Sequence, residues 1–430
     1  MTFSQFGKQL TGSSGIVDLM EDLGQALNQN PDMLFLGGGN PAHIDAFESC
    51  IAQHLTAFAQ TPEQLHKLVG VYQSPRGNET CIDELVSYLK QRLDWPVRSK
   101  NIALANGSQS AFFVLINMLA GHFDSSSRGS VKKICFPMMP EYLGYSDQGI
   151  ADDMFCGYRP KLALMGEHQF KYTIDFDQLT ERDDIAAYCV SRPTNPTGNL
   201  ITDNEMEKLS QLARQQGKPL IVDCAYGLPF PGLVYEKATL PWDDNTIYVL
   251  SLSKLGLPGV RTGIVVGNEQ LITNFVAANT ILSLANGNLG PMLLTELLKA
   301  QQLDYLMEKV LLPFYLAKRA LMLQQLETQL QGLSYRLHKS EGAFFVWLWL
   351  PDLPISSHEL YLRLKARGVL IMAGEHFFFG LDSAWQHAQQ CIRLNFCQSQ
   401  EVIVKAIAIL ADELKNLTEA KKKTAKKLGV

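Results

Sequence analysis

Five short apolar runs, spaced through the middle of the chain with helix-like stretches between them, constrain the fold more than any other feature. They are KKICFP (132–137), IAAYCVS (185–191), PLIVDC (219–224), NTIYVLSLS (245–253) and TGIVVG (262–267). Each is apolar on both sides of an extended chain, as a strand covered on both faces must be. Helical patterns fill the gaps, most clearly at 108–122 and 202–217. The second opens on Thr202-Asp203, carries acids in its first turn and stops at Gly217. Strands and helices in alternation predict an α/β fold, a mostly parallel sheet with helices on both faces.

After about residue 310 the texture changes. A helical stretch (311–331) leads into YRLHKSEGAFFVWLWL (335–350), whose alternation suggests strands. A helix near 356–367, the apolar GVLIM (368–372), the strand-like CIRLNF (391–396) and a last helix near 400–417 follow. This reads as a smaller α+β unit. The expected division is an N-terminal segment (1–48) packed with the small unit, a large domain (49–310) and a small C-terminal domain (311–430). Low complexity is confined to pieces such as SSSRGS (125–130), and there is no internal repeat.

Composition excludes several classes. At 430 residues, 46% hydrophobic and 19% charged, the chain suits a globular protein of two or three domains. A net charge of −5 gives no general pull toward nucleic acid. The basic cluster Lys421, Lys422, Lys423, Lys426 and Lys427 reads as a solvated end. None of the eight cysteines forms a C-x-x-C pair, and several sit inside apolar runs, which suits buried thiols in a reducing cytoplasm. No apolar run approaches the ~20 residues needed to span a membrane, and MTFSQFGKQLTGSSG lacks a signal peptide's apolar core. The nine histidines show no ligand spacing, so no catalytic metal is expected.

The strongest local signal is SLSKLGLPGVRTG (251–263). Lys254 directly follows an apolar strand; taken alone, it reads more readily as a surface loop lysine. Ser251, Ser253 and Arg261 beside it could bind a dianionic phosphate, Arg as a bidentate fork. A desolvated lysine near other cations loses basicity and becomes a better imine-forming nucleophile. Asp223 ends the run PLIVDC, where strand ends meet ligands in open α/β sheets, although a turn or cap aspartate is the plain alternative. Tyr226 lies three residues on. In SRPTNPTGN (191–199) the prolines and glycine make a rigid turn, with Asn195-Pro196 a candidate cis bond. Gly107, Ser108 and Gln109 open a helix, an anion site made of free N–H groups and the helix dipole. Tyr142, in FPMMPEYLGY, is an aromatic that could stack on a ring. Each signal also has a bland structural reading; their joint order along the chain is far harder to obtain by chance.

In that order (glycine phosphate loop, aromatic, N-P-T-G, D-x-x-Y, S-x-S-K and an arginine) the chain resembles the fold-type I, pyridoxal 5′-phosphate (PLP)-dependent aminotransferases of class I/II. The likeness runs from GGGNPA (37–42) through YQSPRGNETCIDELVSYL (72–89) to CIRLNF. It implies PLP as cofactor, with Lys254 as the Schiff-base lysine and proton-moving base. It implies Asp223 as partner of the pyridine nitrogen and Asn195 with Tyr226 as partners of the ring O3′. Ser108, Gln109, Ser251, Ser253 and Arg261 would form the phosphate cup. Arg393 and Gly39 would meet the substrate α-carboxylate. Tyr72 would reach the phosphate of a neighbouring subunit, which makes the expected state a homodimer with shared sites.

A narrower likeness, carried by MTFSQFG, NIALANGSQSAFF, MPEYLGY and SLSKLGLPG, is to the subgroup that exchanges an amino group between valine or similar aliphatic amino acids and pyruvate. The expected partners are therefore amino acids and 2-oxo acids. Other fold-type I reactions, such as β-elimination, cyclisation or C–S lysis, would use the same cofactor residues. A PLP-sensing regulator would need a DNA-binding domain ahead of GGGNPA, and about 36 residues stand there. The aromatic loops AFFVWLW (343–349) and GEHFFFG (374–380) are candidates for an apolar pocket wall.

Overall fold

All five apolar runs become strands of one sheet in the computed structural model, which describes residues 2–12, 15–123 and 131–428. The SSSRGS segment lies outside the described residues. Across the sheet the order is Ile102–Ala105, Gly263–Val266, Thr246–Ser251, Leu220–Asp223, Ile185–Ser191, Val131–Phe136 and Gly121–His122, with Phe155–Gly157 also beside Val131–Phe136. The central pairings are parallel; Gly263–Val266 runs antiparallel to both its neighbours.

The two-sided hydrophobicity has a direct structural reading, because successive side chains of a strand point to opposite faces. Ile134, Cys189, Ile221, Val249 and Val265 enter one core, with Phe112 and Phe275 from the helices Ser108–Leu119 and Glu269–Ser283. Cys135, Val190, Val222, Leu250 and Ile264 enter the other, with Leu85, Leu209 and Leu293 from Glu79–Leu93, Asp203–Gln215 and Leu289–Lys299. The helix Asp203–Gln215 starts on a capping box in which Thr202 and Glu205 satisfy each other's N–H groups.

Register aligns the ends of the strands. Ser191 pairs with Asp223, Val249 with Asp223, Ser251 with Gly263, and Gly263 with Ala105. One edge of the sheet therefore carries Ser191, Asp223 and Ser251 close together, with Gly107 and Ser108 just past Ala105.

A second, six-stranded sheet runs Met372–Ala373, Cys391–Asn395, Phe345–Trp349, Arg336–His338, Gln169–Thr173 and Lys161–Met165. Its last two strands come from the middle of the chain, inside the span assigned by sequence to the large domain. Alternation explains why: Phe170 and Tyr172 are buried while their neighbours are more exposed, so this hairpin needs a sheet to cover one face only. The segment Leu34–Phe35 pairs in parallel with Val369–Leu370 as a separate two-stranded sheet, and the Asn395 N–H donates to Leu36 O at 2.8 Å, which ties the N-terminal region to the second sheet. The last helix, Gln400–Leu428, continues past the expected end near 417. Ala, Lys and Glu in TEAKKKTAKKL are strong helix formers, so a lysine-rich run extends the helix instead of ending it. Among the described residues no helix is long and apolar enough to cross a membrane.

Candidate active site

A cavity of about 550 Å³ opens where the strand ends of the large sheet face the second sheet. Its floor comes from short turns that follow strands directly, so local sequence sets most of its chemistry. Lys254 sits in the single turn Ser253–Leu255 after Thr246–Ser251. Its Nζ donates to Gly39 O at 2.6 Å and lies 5.5 Å from the Tyr226 ring centre. Burial first, then the positive charge of Arg393, brings its amine down to about 8.

Asp223 is buried, and its contacts are neutral donors. The Tyr145 hydroxyl donates to Oδ2 at 2.5 Å and the Ala225 N–H to Oδ1 at 2.8 Å. Burial raises its carboxyl above the usual range, as expected for a carboxylate with no cation in contact among the described residues. The Tyr226 hydroxyl is buried with no partner among the described residues, and so is Arg393 Nε. The Arg393 guanidinium donates to Asn195 Oδ1 at 2.8 Å and Gly37 O at 2.7 Å, above the Phe345 ring at 4.2 Å. Burial lowers it to about 10.

On the other side, the helix Ser108–Leu119 begins at the cavity with Gly107 as its cap, at φ +93°. A Cβ on Gly107 would lie 2.4 Å from Arg261 Nη2, so the guanidinium rests directly on this backbone. Arg261 Nη1 is 3.4 Å from Ser253 Oγ, and Ser251 Oγ accepts from the Ser253 N–H at 3.1 Å. Free helix N–H groups, two serines and an arginine converge here. That donor set suits a phosphate.

The matched sequence profile, for the family described as aminotransferase class I and II, covers residues 31–410. The chain belongs to the class I and II aminotransferases. It is 45% identical over 414 residues to valine–pyruvate aminotransferase of Escherichia coli strain K12, covering 96% of this chain and 98% of that one. The crystal structure of valine–pyruvate aminotransferase from Salmonella typhimurium LT2 superposes with a TM-score of 0.86 at 43% identity, covering 94% of this chain and all (100%) of that one. The fold also extends to an α-aminoadipate aminotransferase from Thermus thermophilus, solved with N-(5′-phosphopyridoxyl)-L-leucine (TM-score 0.75, 20% identity, 97% and 98% coverage).

Twelve of the residues singled out in the sequence of this aminotransferase line the cavity: Gly39, Ser108, Gln109, Tyr142, Asn195, Asp223, Tyr226, Ser251, Ser253, Lys254, Arg261 and Arg393. Gly107 supports Arg261 from beneath. Tyr72 does not reach this chain's cavity; it stands 82% exposed on a loop.

Two expectations are corrected. The bond before Pro196 is trans, and the cis bond of this loop is Arg192–Pro193. The turn closes instead through Gly198 N–H to Thr194 O, with Gly198 at φ +67°. The aromatic loops do not form the cavity wall. Phe344, Phe345 and Phe377 lie in the core beneath Lys254 and Arg393. The apolar wall is Leu23, Leu27, Phe35 and Met372. Leu23 and Leu27 are an i, i+4 pair on Gly15–Gln29, a helix held to the second sheet's unit by Asp22, which pairs with Lys365 at 2.5 Å and accepts from Tyr361. The i, i+4 spacing was visible in the sequence, but what it faced was not. Tyr145, Glu141 and Ser191 are further residues of the site that sequence reasoning missed.

The residues present fit PLP. A phosphate seat lies across from a buried carboxylate suited to a cationic ring nitrogen, an unpartnered tyrosine hydroxyl is placed for a ring oxygen, and the lysine is depressed toward a reactive amine.

Proposed function

We propose that this aminotransferase moves the amino group of valine, or a similar small aliphatic amino acid, to pyruvate, giving 2-oxoisovalerate and alanine with PLP as cofactor. One observation carries the substrate reading. The cations lining the cavity, among the described residues, are Lys254, Arg261 and Arg393. Lys254 is taken by the cofactor, Arg261 by its phosphate and Arg393 by the substrate α-carboxylate. No cation is left for an acidic side chain, and Leu23, Leu27, Phe35 and Met372 offer an apolar wall. The 45% identity to the Escherichia coli enzyme supports the same reading.

PLP, when bound, supplies a ring that draws electrons from the substrate Cα as its proton leaves. Lys254 Nζ would hold the cofactor and, once released, would serve as the base that takes up and returns the substrate Cα proton. Asp223 would keep the ring nitrogen protonated, its carboxylate fixed by Tyr145 and Ala225. Asn195 and Tyr226 would donate to the ring oxygen, and Tyr142 would cover the ring. Ser108, Gln109, Ser251, Ser253 and Arg261 hold the phosphate. Arg393, Asn195 and the Gly39 backbone orient the substrate carboxylate. The second substrate would meet the same residues in the reverse order, a ping-pong sequence.

Incubation with valine should convert the cofactor to its amine form, and pyruvate should then yield alanine. Failure with valine and other aliphatic donors refutes the substrate reading; release of ammonia without the amine form refutes transamination. In Lys254→Ala, turnover and borohydride-trappable cofactor should both disappear.

We also infer a homodimer in the cytoplasm. Val69, Tyr72, Ile281 and Leu284 are 76%, 82%, 87% and 62% exposed, and Asn288 Nδ2 donating to Lys67 O links the two segments that carry them. Such a patch favours cover by a second copy, whose phosphate seat Tyr72 would then reach. Eight free cysteines, seven of them buried, suit a reducing compartment. The division into 1–48, 49–310 and 311–430 stands as a proposal, with the hairpin 161–173 joining the smaller unit. Sedimentation of the holoenzyme as a monomer would refute the dimer.

A further inference from the structure

Glu141 is fully buried beside the cavity, yet none of its contacts among the described residues is a cation. Its Oε1 accepts the Ser191 N–H at 2.9 Å. Its Oε2 lies 2.5 Å from Ser191 Oγ and 3.3 Å from the Tyr142 N–H. Its own N–H donates to Phe377 O at 3.1 Å. The titratable groups around it, Asp223, Tyr145 and Cys189, are all acids. Ser191 lines the cavity and pairs in register with Asp223 on the neighbouring strand.

Resting on the proposed PLP chemistry, we propose that Glu141 is a positioning residue: a neutral carboxylic acid that donates its proton to Ser191 Oγ and so turns the Ser191 hydroxyl proton into the cavity as a donor beside Asp223. Two carboxyl groups share this buried region, and both cannot carry charge cheaply. Asp223 keeps two donors, at 2.5 and 2.8 Å, and feels the positive charge of Lys254. Glu141 has burial and the negative charge of Asp223 against it, which push its carboxyl up to about 8. At neutral pH the pair resolves into one acid and one carboxylate. The Ser191 hydroxyl, satisfied as acceptor by Glu141, then has its proton free for the cofactor.

The test compares PLP dissociation constants of the full-length wild type, Glu141→Leu, Ser191→Ala, their double variant and Glu141→Gln. Glutamine keeps a donor for Ser191 Oγ and an acceptor for the Ser191 N–H but cannot ionise. Losing an oriented buried donor weakens binding roughly tenfold. Glu141→Leu and Ser191→Ala should each show that loss, and the double variant no more than either alone. Glu141→Gln should stay within about twofold of wild type, less than the loss of a hydrogen bond would cost. A Gln variant as weak as Leu, or single losses that add, overturns the proposal. Ser191→Ala removes only a hydroxyl, so it tests the same donor even where Glu141→Leu fails to fold.

The second readout is the infrared difference spectrum, wild type minus Glu141→Gln, of cofactor-free protein. A protonated-carboxyl band should be present at neutral pH and fade as pH passes about 8; its absence at neutral pH overturns the proposal. This measurement does not depend on cofactor. Failure of the wild type to bind PLP would refute the cofactor reading separately.

Discussion

Replacing Gly107 with alanine should damage the phosphate seat without replacing a single phosphate-binding side chain. Gly107 sits at φ +93°, ψ 157°, a conformation close to glycine-only, which costs an L-residue about 1–3 kcal/mol. The added methyl would also stand 2.4 Å from Arg261 Nη2 and 3.0 Å from Cζ, well inside contact distance. The flexible guanidinium is the part that can yield. Its fixed partners are weak, Ser253 Oγ at 3.4 Å and Pro258 O at 3.2 Å, so it should swing away from the helix N-terminus.

A charge-assisted hydrogen bond is worth about 1.5–3 kcal/mol, which predicts PLP binding about 10- to 100-fold weaker. The assay is equilibrium titration of cofactor-free protein with PLP, beside urea unfolding of the same samples to separate backbone strain from lost affinity. Combining Gly107→Ala with Arg261→Ala decides the cause. If the methyl acts through Arg261, the double variant binds PLP no worse than Arg261→Ala alone. Wild-type affinity in Gly107→Ala, or losses that add, would refute the reasoning.

Covalent attachment of PLP to cofactor-free protein requires the neutral Lys254 amine. Its value falls from 10.5 to about 8, so the attachment rate should climb about tenfold per pH unit below 8 and flatten above it; an inflection near 10.5 would contradict the burial of this lysine. Arg393→Lys cannot span Asn195, Gly37 and a substrate carboxylate together. It should raise KM for the amino donor about 10- to 100-fold and leave PLP affinity nearly unchanged, as steady-state kinetics beside a PLP titration would reveal. Leu23→Ala opens the apolar wall, and the ratio of kcat/KM for leucine to that for valine should rise about tenfold. An unchanged ratio would remove the N-terminal helix from substrate selection.

What the sequence determined alone was whatever backbone geometry transmits over a few residues. Two-sided apolar runs could only be strands covered on both faces. A strand that stops sets Asp223 or Lys254 at a sheet edge whatever the rest of the chain does, and a glycine before Ser108 leaves a helix N-terminus open for an anion. What tertiary structure alone decided were the contacts between residues far apart in the chain. Lys254 meets Gly39 O across 215 positions, Tyr145 meets Asp223 across 78 and Glu141 meets Ser191 across 50. Those pairs depend on strand order and register, which no local pattern encodes. The substrate wall shows the same division. AFFVWLW and GEHFFFG are the more aromatic segments, but packing sends their rings into the core behind Arg393, and a plain amphipathic helix near the N-terminus supplies Leu23 and Leu27 instead. Hydrophobicity requires that a side chain leave water; only the assembled layers decide whether it faces a core or a substrate.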